Sequence, residues 1–538
     1  MIKNRHFEIM LKKFDLLFQT VRHLKVRQII YQVKYRLIKP GPLKMYGYIS
    51  SNINIQPLRF MYYPPMVVSW QGKGKFSFLN IDVTFEGGVN WNFQKNGKLW
   101  NYNLQYANYL LQEAPDDKEK EQLVTELYAW LSDGRLPLEP YPVSLRSINM
   151  IRWLSLSDVN RPDLEKNVYA ELNFLSQRLE YHLLGNHLLE NAFALLMGGG
   201  FFSKTNWVKT GKKILKAELE EQVLADGAHF ELSPMYHQII FFRLLELIDW
   251  YSKWKDKELE FEDFLKAKAI AMRAWLKNIS FQNGDIPHFN DSASGIAYAT
   301  HWLMTYADEL SIRESGLRLG ESGYRSVMMG NYECKIDCAQ LGPSYQPGHA
   351  HADALSFVLY YKGQPLFVEQ GTSTYQVGDV RERERSTEAH NTVVVDKRNQ
   401  SNVWGGFRVA ERAIVKIVED RENRICGKHN GYRKLGVTHK RTFNFDKNRI
   451  EIVDEVSGND QLSKEFHLHI YPGIRTRIDS SQNVVLSNGI TVTFKPGVEV
   501  VIQNYYMANG YNRYLSGKKL IVSFKNELKT TISFETSN

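Results

Sequence analysis

The chain has 538 residues, of which 43% are hydrophobic and 24% charged, and this excludes a mainly disordered polypeptide. Its 36 Gly and 17 Pro exclude collagen-like and Pro-rich low-complexity chains, and at about 150 residues per domain the length admits three to four domain equivalents or two large domains. The net charge is +9, and residues 1–40 hold ten Lys/Arg against two acids, so most of the excess is local.

That first segment has the charge of a surface for membrane or nucleic acid. Its apolar residues Ile9, Met10, Phe14, Leu17, Val21 and Leu24 nevertheless recur at helical spacing. The reading adopted is an amphipathic helix with a solvated basic face, within an extension over 1–90 that packs on the next domain; no nucleic-acid partner is expected. No apolar run reaches about 18 residues, so no transmembrane helix is expected. The start MIKNRHFEIMLKKFDLLFQTV lacks an apolar stretch followed by a small-residue cleavage site. The expectation is therefore a cytoplasmic chain, with export by a route the sequence does not display left open. Residues 50–100 are mixed and aromatic and receive no assignment.

Helical periodicity then runs through 103–114, 120–133, 146–157, 164–184, 192–202, 210–224, 235–254 and 261–280, with short Gly, Pro, Asp and Asn breaks. Many consecutive helix hairpins stack into a bundle, a solenoid or a closed α/α toroid, here spanning 91–325. From about 330 the period becomes two. ALSFVLYYKGQPLFVEQG reads as strand, tight turn at Lys362-Gly363, strand. Repeated short strands over 326–538 predict an antiparallel β-sandwich. Cys334, Cys338 and Cys426 are too few for a disulfide framework and read as small core residues. The 29 Tyr and 11 Trp suit a thick core and also a groove that stacks on sugar rings.

Polar residues concentrate at five places: NHLLEN (186–191), DGAHFELSPMYH (226–237), FNDS (289–292), GHAHAD (348–353) and EQGTSTYQVGDVRERERSTEAHN (369–391). Taken singly, each has a plain structural reading. Asn186 and Asp226 serve as helix caps, Asp226-Gly227 as a turn, and Tyr236 as core. Together they carry more polar side chains than caps and turns require. On an extended strand His349 and His351 would share one face.

PGHAHADALSF…EQGTSTYQVGDVRERERSTEAHNTVVVD, with NHLLEN and DGAHFELSPMYH upstream, resembles the heparinase II/III-like family of polysaccharide lyases over roughly residues 90–420. GHAHAD…RSTEAHNTV is the specific part; NHLLEN alone is not. The resemblance implies an N-terminal α/α toroid, often incomplete, followed by an antiparallel β-sandwich. It also implies β-elimination on an anionic, uronic-acid-containing polysaccharide. The obstacle in that reaction is the weakly acidic C5 proton beside an ionised carboxylate, which resists further negative charge until hydrogen-bonded or neutralised. By resemblance Asn186 hydrogen-bonds the uronate carboxylate, and His187 assists there or acts as a base. Tyr236 is the catalytic tyrosine, and His349 neutralises the carboxylate or takes the proton. Tyr375 is a second tyrosine at the site. Glu190, His229, Glu231 and Asn290 are candidate substrate contacts. Arg146 and Arg385 are candidates for substrate charge, with an ion pair for Arg146 and a solvated loop for Arg381, Arg383 and Arg385 as the bland readings.

The resemblance further implies a structural divalent metal, zinc, on His351, Glu369 and His390. Asp353 is the competing oxygen ligand, and a hydrogen-bonded His390-Asn391 pair is the metal-free alternative. Two imidazoles, one carboxylate and a water complete a tetrahedral site. Two other function classes compete. A glycoside hydrolase needs two carboxylates, for which Asp226, Glu231 and Asp291 are available. A non-catalytic glycan-binding or export-associated protein needs neither Tyr236 nor His349. The sequence leaves the particular polymer and the oligomeric state unread.

Overall fold

The computed structural model describes residues 14–47, 55–62, 67–156, 161–479 and 483–534. Helices Lys98–Tyr106, Asp117–Ser132, Pro140–Leu156, Pro162–Gln177, Gly185–Phe201, Thr205–Gln222, Pro234–Tyr251, Leu259–Ile279 and Thr300–Glu309 build an α/α-toroid-like first half. Gly185–Phe201 packs against Thr205–Gln222 and Pro140–Leu156, and Pro234–Tyr251 packs against Leu259–Ile279 and Thr300–Glu309. Gly185–Phe201 is buried at every position except His187, as expected of a helix apolar nearly all round. Its glycines admit close neighbours. A Cβ on Gly200 would lie 2.3 Å from the Trp250 ring, and one on Gly211 of the next helix would lie 2.8 Å from the Leu196 backbone nitrogen.

The unassigned 50–100 stretch contains a two-stranded hairpin, Lys75–Phe78 with Ile81–Thr84. Its buried Phe76 and Phe78 join Trp91, Trp100 and Tyr109 in the helical core. Upstream, the inward apolar face expected for the first segment is corrected. Ile9 and Met10 lie outside the described residues, while Phe14, Leu17 and Val21 are exposed. The helix Val26–Leu37 buries Gln28 instead, because Gln28 and Tyr35 hydrogen-bond the Leu183 and Leu179 carbonyls.

The second half is a sandwich-like pair of antiparallel sheets, with no closed barrel. One sheet runs Val415–Arg421, Arg424–His429, Thr438–Asp446, Arg449–Ser457, Glu527–Ser533, Thr491–Phe494, Val484–Leu486, Thr476–Ile478. The other runs Glu499–Ala508, Tyr514–Phe524, Lys464–Ile470, Gln364–Phe367, Phe357–Tyr361, Tyr332–Asp337, Tyr324–Met329, with Val393–Val395 also paired to Lys464–Ile470. Arg449–Ser457 alternates buried and part-exposed side chains, the signature of a sheet with one face on the core. The turn expected at Lys362-Gly363 is present, with φ of 52° and 71°, as tight hairpins require. All three cysteines are buried and free.

The halves meet through specific contacts. Phe281 stacks on Tyr360 with centroids 3.7 Å apart, and Phe289 stacks on Tyr324 at 5.2 Å. The Tyr324 hydroxyl donates to the Leu232 carbonyl at 2.5 Å. Within the sandwich, fully buried Arg441 pairs with Asp454 through Nε at 2.7 Å and donates to the Leu355 and Asn391 carbonyls. Burial opposes ionisation of Asp454, but Arg441 and His439 outweigh it and hold the carboxyl below its usual range.

Arg441→Met strands that carboxylate and is expected to cost about 3–5 kcal/mol in chemical denaturation. A folded-state pKa below the unfolded one stabilises above the unfolded value and ceases to as pH falls through the folded one. The gap between wild type and variant is thus full above about pH 4 and narrows in acid.

Candidate active site

Four segments deliver the site. Tyr236 stands in the first turn of Pro234–Tyr251, where Ser233 caps the helix by accepting the Tyr236 N–H at 3.2 Å. The Ser233 hydroxyl also donates to the Asp291 carbonyl at 2.7 Å, which ties this cap to the loop before Thr300–Glu309. His349 and His351 come from the loop between Tyr332–Asp337 and Phe357–Tyr361, and Tyr375 from the loop after Gln364–Phe367. Asn186 opens the helix Gly185–Phe201. Gly185 before it has φ of 58°, and a Cβ there would lie 2.7 Å from Glu231 Oε1.

These segments converge. The Tyr236 ring lies against His349 with centroids 3.9 Å apart, and the Tyr236 and Tyr375 hydroxyls are 3.2 Å apart. His349 Nε2 is 3.6 Å from Glu231 Oε2, and Glu231 Oε1 accepts the Asn186 N–H at 3.3 Å. Asn186 Oδ1, Glu231 Oε2 and the neighbouring Gln346 Oε1 are buried without hydrogen-bond partners. Unpartnered buried polar side chains at this cluster mark a place open to a polar ligand. Burial raises the Tyr236 phenol above its ordinary range, with the Tyr375 contact opposing, so it keeps its proton at neutral pH. Burial likewise raises Glu231, against the opposing pull of His349.

His349 and His351 lie in a loop rather than on a strand, yet they share one partner. His349 Nδ1 and His351 Nε2 each lie 2.9 Å from a different oxygen of Asp291. Arg381, fully buried, donates to both oxygens, through Nη2 at 2.7 Å to Oδ2. Burial alone would favour the neutral acid, but Arg381 and the two histidines hold Asp291 well below the carboxylate range. The ionised carboxylate accepts the His349 Nδ1–H, and Nε2 faces Glu231.

A second cluster lies behind this carboxylate. Ligand atoms of His351, Asp353 and His390, all buried, lie within 4.8 Å of one another. His351 Nδ1 and His390 Nε2 have no hydrogen-bond partner. Each ring uses its other nitrogen on a carboxylate, Asp291 for His351 and Glu369 for His390. Carboxylate-backed imidazoles of this kind, with a buried carboxylate beside them, are a donor set that could hold a metal ion. Burial keeps His351 neutral, pushed down to about 3. Glu369 is corrected from ligand to support. Its two oxygens serve His390 and the Ser356 hydroxyl, and Asp353 closes the trio. Asn391 donates to the Phe357 and Val368 carbonyls and so braces the strands.

Two family profiles match consecutive parts of the chain: "Heparinase II/III N-terminus" over residues 93–313 and "Heparinase II/III-like, C-terminal" over 312–535. The chain belongs to the heparinase II/III-like family. Among curated relatives, a heparin-sulfate lyase of Bacteroides stercoris is 24% identical over 365 residues, 59% of this chain and 52% of that protein. A heparin-sulfate lyase of Bacteroides thetaiotaomicron is 23% identical over 494 residues, 79% of this chain and 68% of that protein. The chain thus spans about half the length of the first relative. The crystal structure of a heparinase III superposes with a TM-score of 0.66 at 18% identity, covering 84% of this chain and 80% of that one.

In this heparinase II/III-like chain Asn186, Glu231, Tyr236, His349 and Tyr375 share one site. His187 flanks it, with Nδ1 3.1 Å from Glu180 and its ring against Tyr141. Other candidates point elsewhere. Arg146 is fully buried and spent on Glu171 and the Gln105 carbonyl. Glu190 pairs with Arg243 at 3.1 Å inside a buried ion-pair network that includes Glu246. His229 bonds Gln222 at 3.0 Å. Asn290 bridges the halves, donating to Leu232 O and accepting the His351 N–H. Arg385 spends its guanidinium on the Ala350 and Gly406 carbonyls, which fixes the histidine loop. These five are held by protein partners away from the Tyr236–His349 contact.

The reading from sequence missed the hub roles of Asp291 and Arg381, and missed Tyr511, whose ring lies 5.3 Å from Tyr375. Asp291 and Arg381 lay inside flagged motifs, whereas no local signal pointed to Tyr511. Asp291→Asn leaves Arg381 buried without its counter-ion and is expected to lower unfolding free energy by about 3–5 kcal/mol. An unchanged denaturation midpoint would exclude the hub.

Proposed function

We propose that this chain is a polysaccharide lyase that cleaves an anionic, uronate-containing glycan by β-elimination. The observation that carries the reading is the contact of Tyr236 with both His349 and Tyr375, beside the unsatisfied cradle of Asn186 and Glu231. The names of its relatives, heparin-sulfate lyases, support the same class.

In this mechanism the Asn186 amide donates through its N–H, and Glu231, which burial holds toward its neutral form, donates through its O–H, so that both hydrogen-bond the uronate carboxylate and draw off its charge. An ionised Glu231 would repel that group. His349 Nε2 takes the C5 proton while Asp291 stabilises the imidazolium that forms. The C5–H electron pair becomes the C4–C5 double bond, the C4–O4 bond breaks, and O4 leaves with the Tyr236 proton. Tyr375 shares proton transfer through its hydroxyl contact with Tyr236. No water is consumed.

Zinc on His351, Asp353 and His390 is part of the proposal. When bound, the ion supplies a fixed positive charge that pins the histidine loop to the loop around His390, a structural role. Proton transfer belongs to His349 and Tyr236.

The hydrolase reading loses its carboxylates. Asp226 clamps a loop by accepting Gly320 N–H and both the N–H and hydroxyl of Ser322. Both oxygens of Asp291 are occupied by His349, His351 and Arg381. Glu231 alone remains, and hydrolysis requires a pair. Beyond residue 40 the chain carries nearly balanced charge, which suits recognition of single uronates rather than a densely basic groove.

The test is ultraviolet absorbance of the unsaturated product across a panel of uronate polymers. Tyr236→Phe is expected to lower kcat by about 10²–10⁴-fold with an unchanged melting temperature. Full activity in the variant removes the acid assignment, and new reducing ends without absorbance identify a hydrolase. For the metal, chelation is expected to lower Tm by several degrees, reversibly on adding Zn²⁺. A verified metal-free protein of unchanged Tm removes the structural ion.

A further inference from the structure

The N-terminal segment shows amphipathicity turned inside out. Val26, Ile29, Ile30, Val33 and Leu37 are spaced i, i+3, i+4, i+7 and i+11, and so form one stripe along Val26–Leu37. That stripe faces solvent, with Val26 72% and Leu37 79% exposed. The opposite side of the helix holds it to the protein. Gln28 and Tyr35 hydrogen-bond the Leu183 and Leu179 carbonyls, and Tyr31 packs on Tyr181 with centroids 5.0 Å apart. The preceding helical residues 14–21 repeat the pattern. Phe14, Leu17, Phe18 and Val21 have the same spacing and are also exposed. This turn is seated as well, since the Trp404 indole N–H donates to the Thr20 hydroxyl at 3.3 Å.

Anchored polar faces and two outward apolar stripes make a prepared surface, not a loose end. Charge selects what covers it. Arg22, Lys34, Arg36 and Lys39 lie within the described part of the segment, beside Lys25, which pairs with Glu221, and Arg27, which lies over the Tyr181 ring; Asp15 is its one acid. Lys34 and Arg36 stand on either side of the stripe of Val26–Leu37, a placement from which long basic side chains can reach an anionic plane. A second copy of the chain would bring the same positive charge to the contact. An anionic polysaccharide satisfies the charge but offers no hydrocarbon for Phe14, Phe18, Ile30 or Leu37. An acidic lipid surface satisfies both. No described helix is long and apolar enough to cross a membrane, so the geometry is that of lying on it.

We infer that residues 14–39 dock this protein onto an anionic lipid surface, with the Phe14–Val21 and Val26–Leu37 stripes entering the acyl boundary. The inference stands apart from the lyase reading, because it uses none of the residues around Tyr236. The experiment is flotation of the full chain with phosphatidylcholine vesicles, plain or containing about one third phosphatidylglycerol. Wild type is expected to float with the acidic vesicles and to be released by raised salt. Ile30→Glu/Val33→Glu is expected to reduce partitioning by more than about tenfold with an unchanged melting temperature, since both side chains are exposed. Three results overturn the inference: no flotation of wild type, undiminished flotation of the variant, which marks binding by charge alone, and a wild-type dimer that the variant dissolves, which marks a second copy as the occupant.

Discussion

The arrangement depends on one buried carboxylate. Asp291 comes from the helical half, and its three main partners, His349, His351 and Arg381, come from the sandwich half. A carboxylate removed from water is costly unless its lone pairs are filled, and here each oxygen receives an imidazole and a guanidinium hydrogen bond. The pairing seats one domain on the other, sets the tautomer of the histidine beside Tyr236, and orients the histidine of the metal-type cluster. Ser233 extends the connection by bonding the Asp291 carbonyl while capping the helix that carries Tyr236.

Around that anchor the polar groups differ in how they are filled. Several buried charges are satisfied in pairs, as with Arg146 and Glu171 or Arg441 and Asp454. Other groups keep unfilled capacity, namely Asn186 Oδ1, Glu231 Oε2 and Gln346 Oε1. Proteins tolerate unsatisfied buried acceptors at few places, and sites that receive a polar substrate are among them.

Periodicity made the broad architecture legible. Apolar residues at three and four gave way to alternation near residue 330, and the halves follow that change from helix Thr300–Glu309 to strand Tyr324–Met329. The motif density around Tyr236, His349 and Tyr375 led to residues that touch. Side-chain partners were less legible, because the partner of a buried charge is chosen by tertiary placement. Arg146 sits one helix away from Glu171, and no spacing in the sequence announces that pairing. Glu369 and Asp353 were both available as metal ligands, and only the direction of His390 Nδ1 toward Glu369 sorts them. The N-terminal stripe was legible as a helix but not in its facing, since periodicity gives a face and not its direction.

The shared carboxylate also couples two events that would otherwise be private. When His349 gains a proton, the added positive charge lies one hydrogen bond from the oxygens that also polarise His351. His351 then meets a weaker pull on its Nε2–H and becomes a slightly poorer electron donor at Nδ1. Each proton taken up by His349 is thus registered electrostatically at His351, with no atom needing to travel.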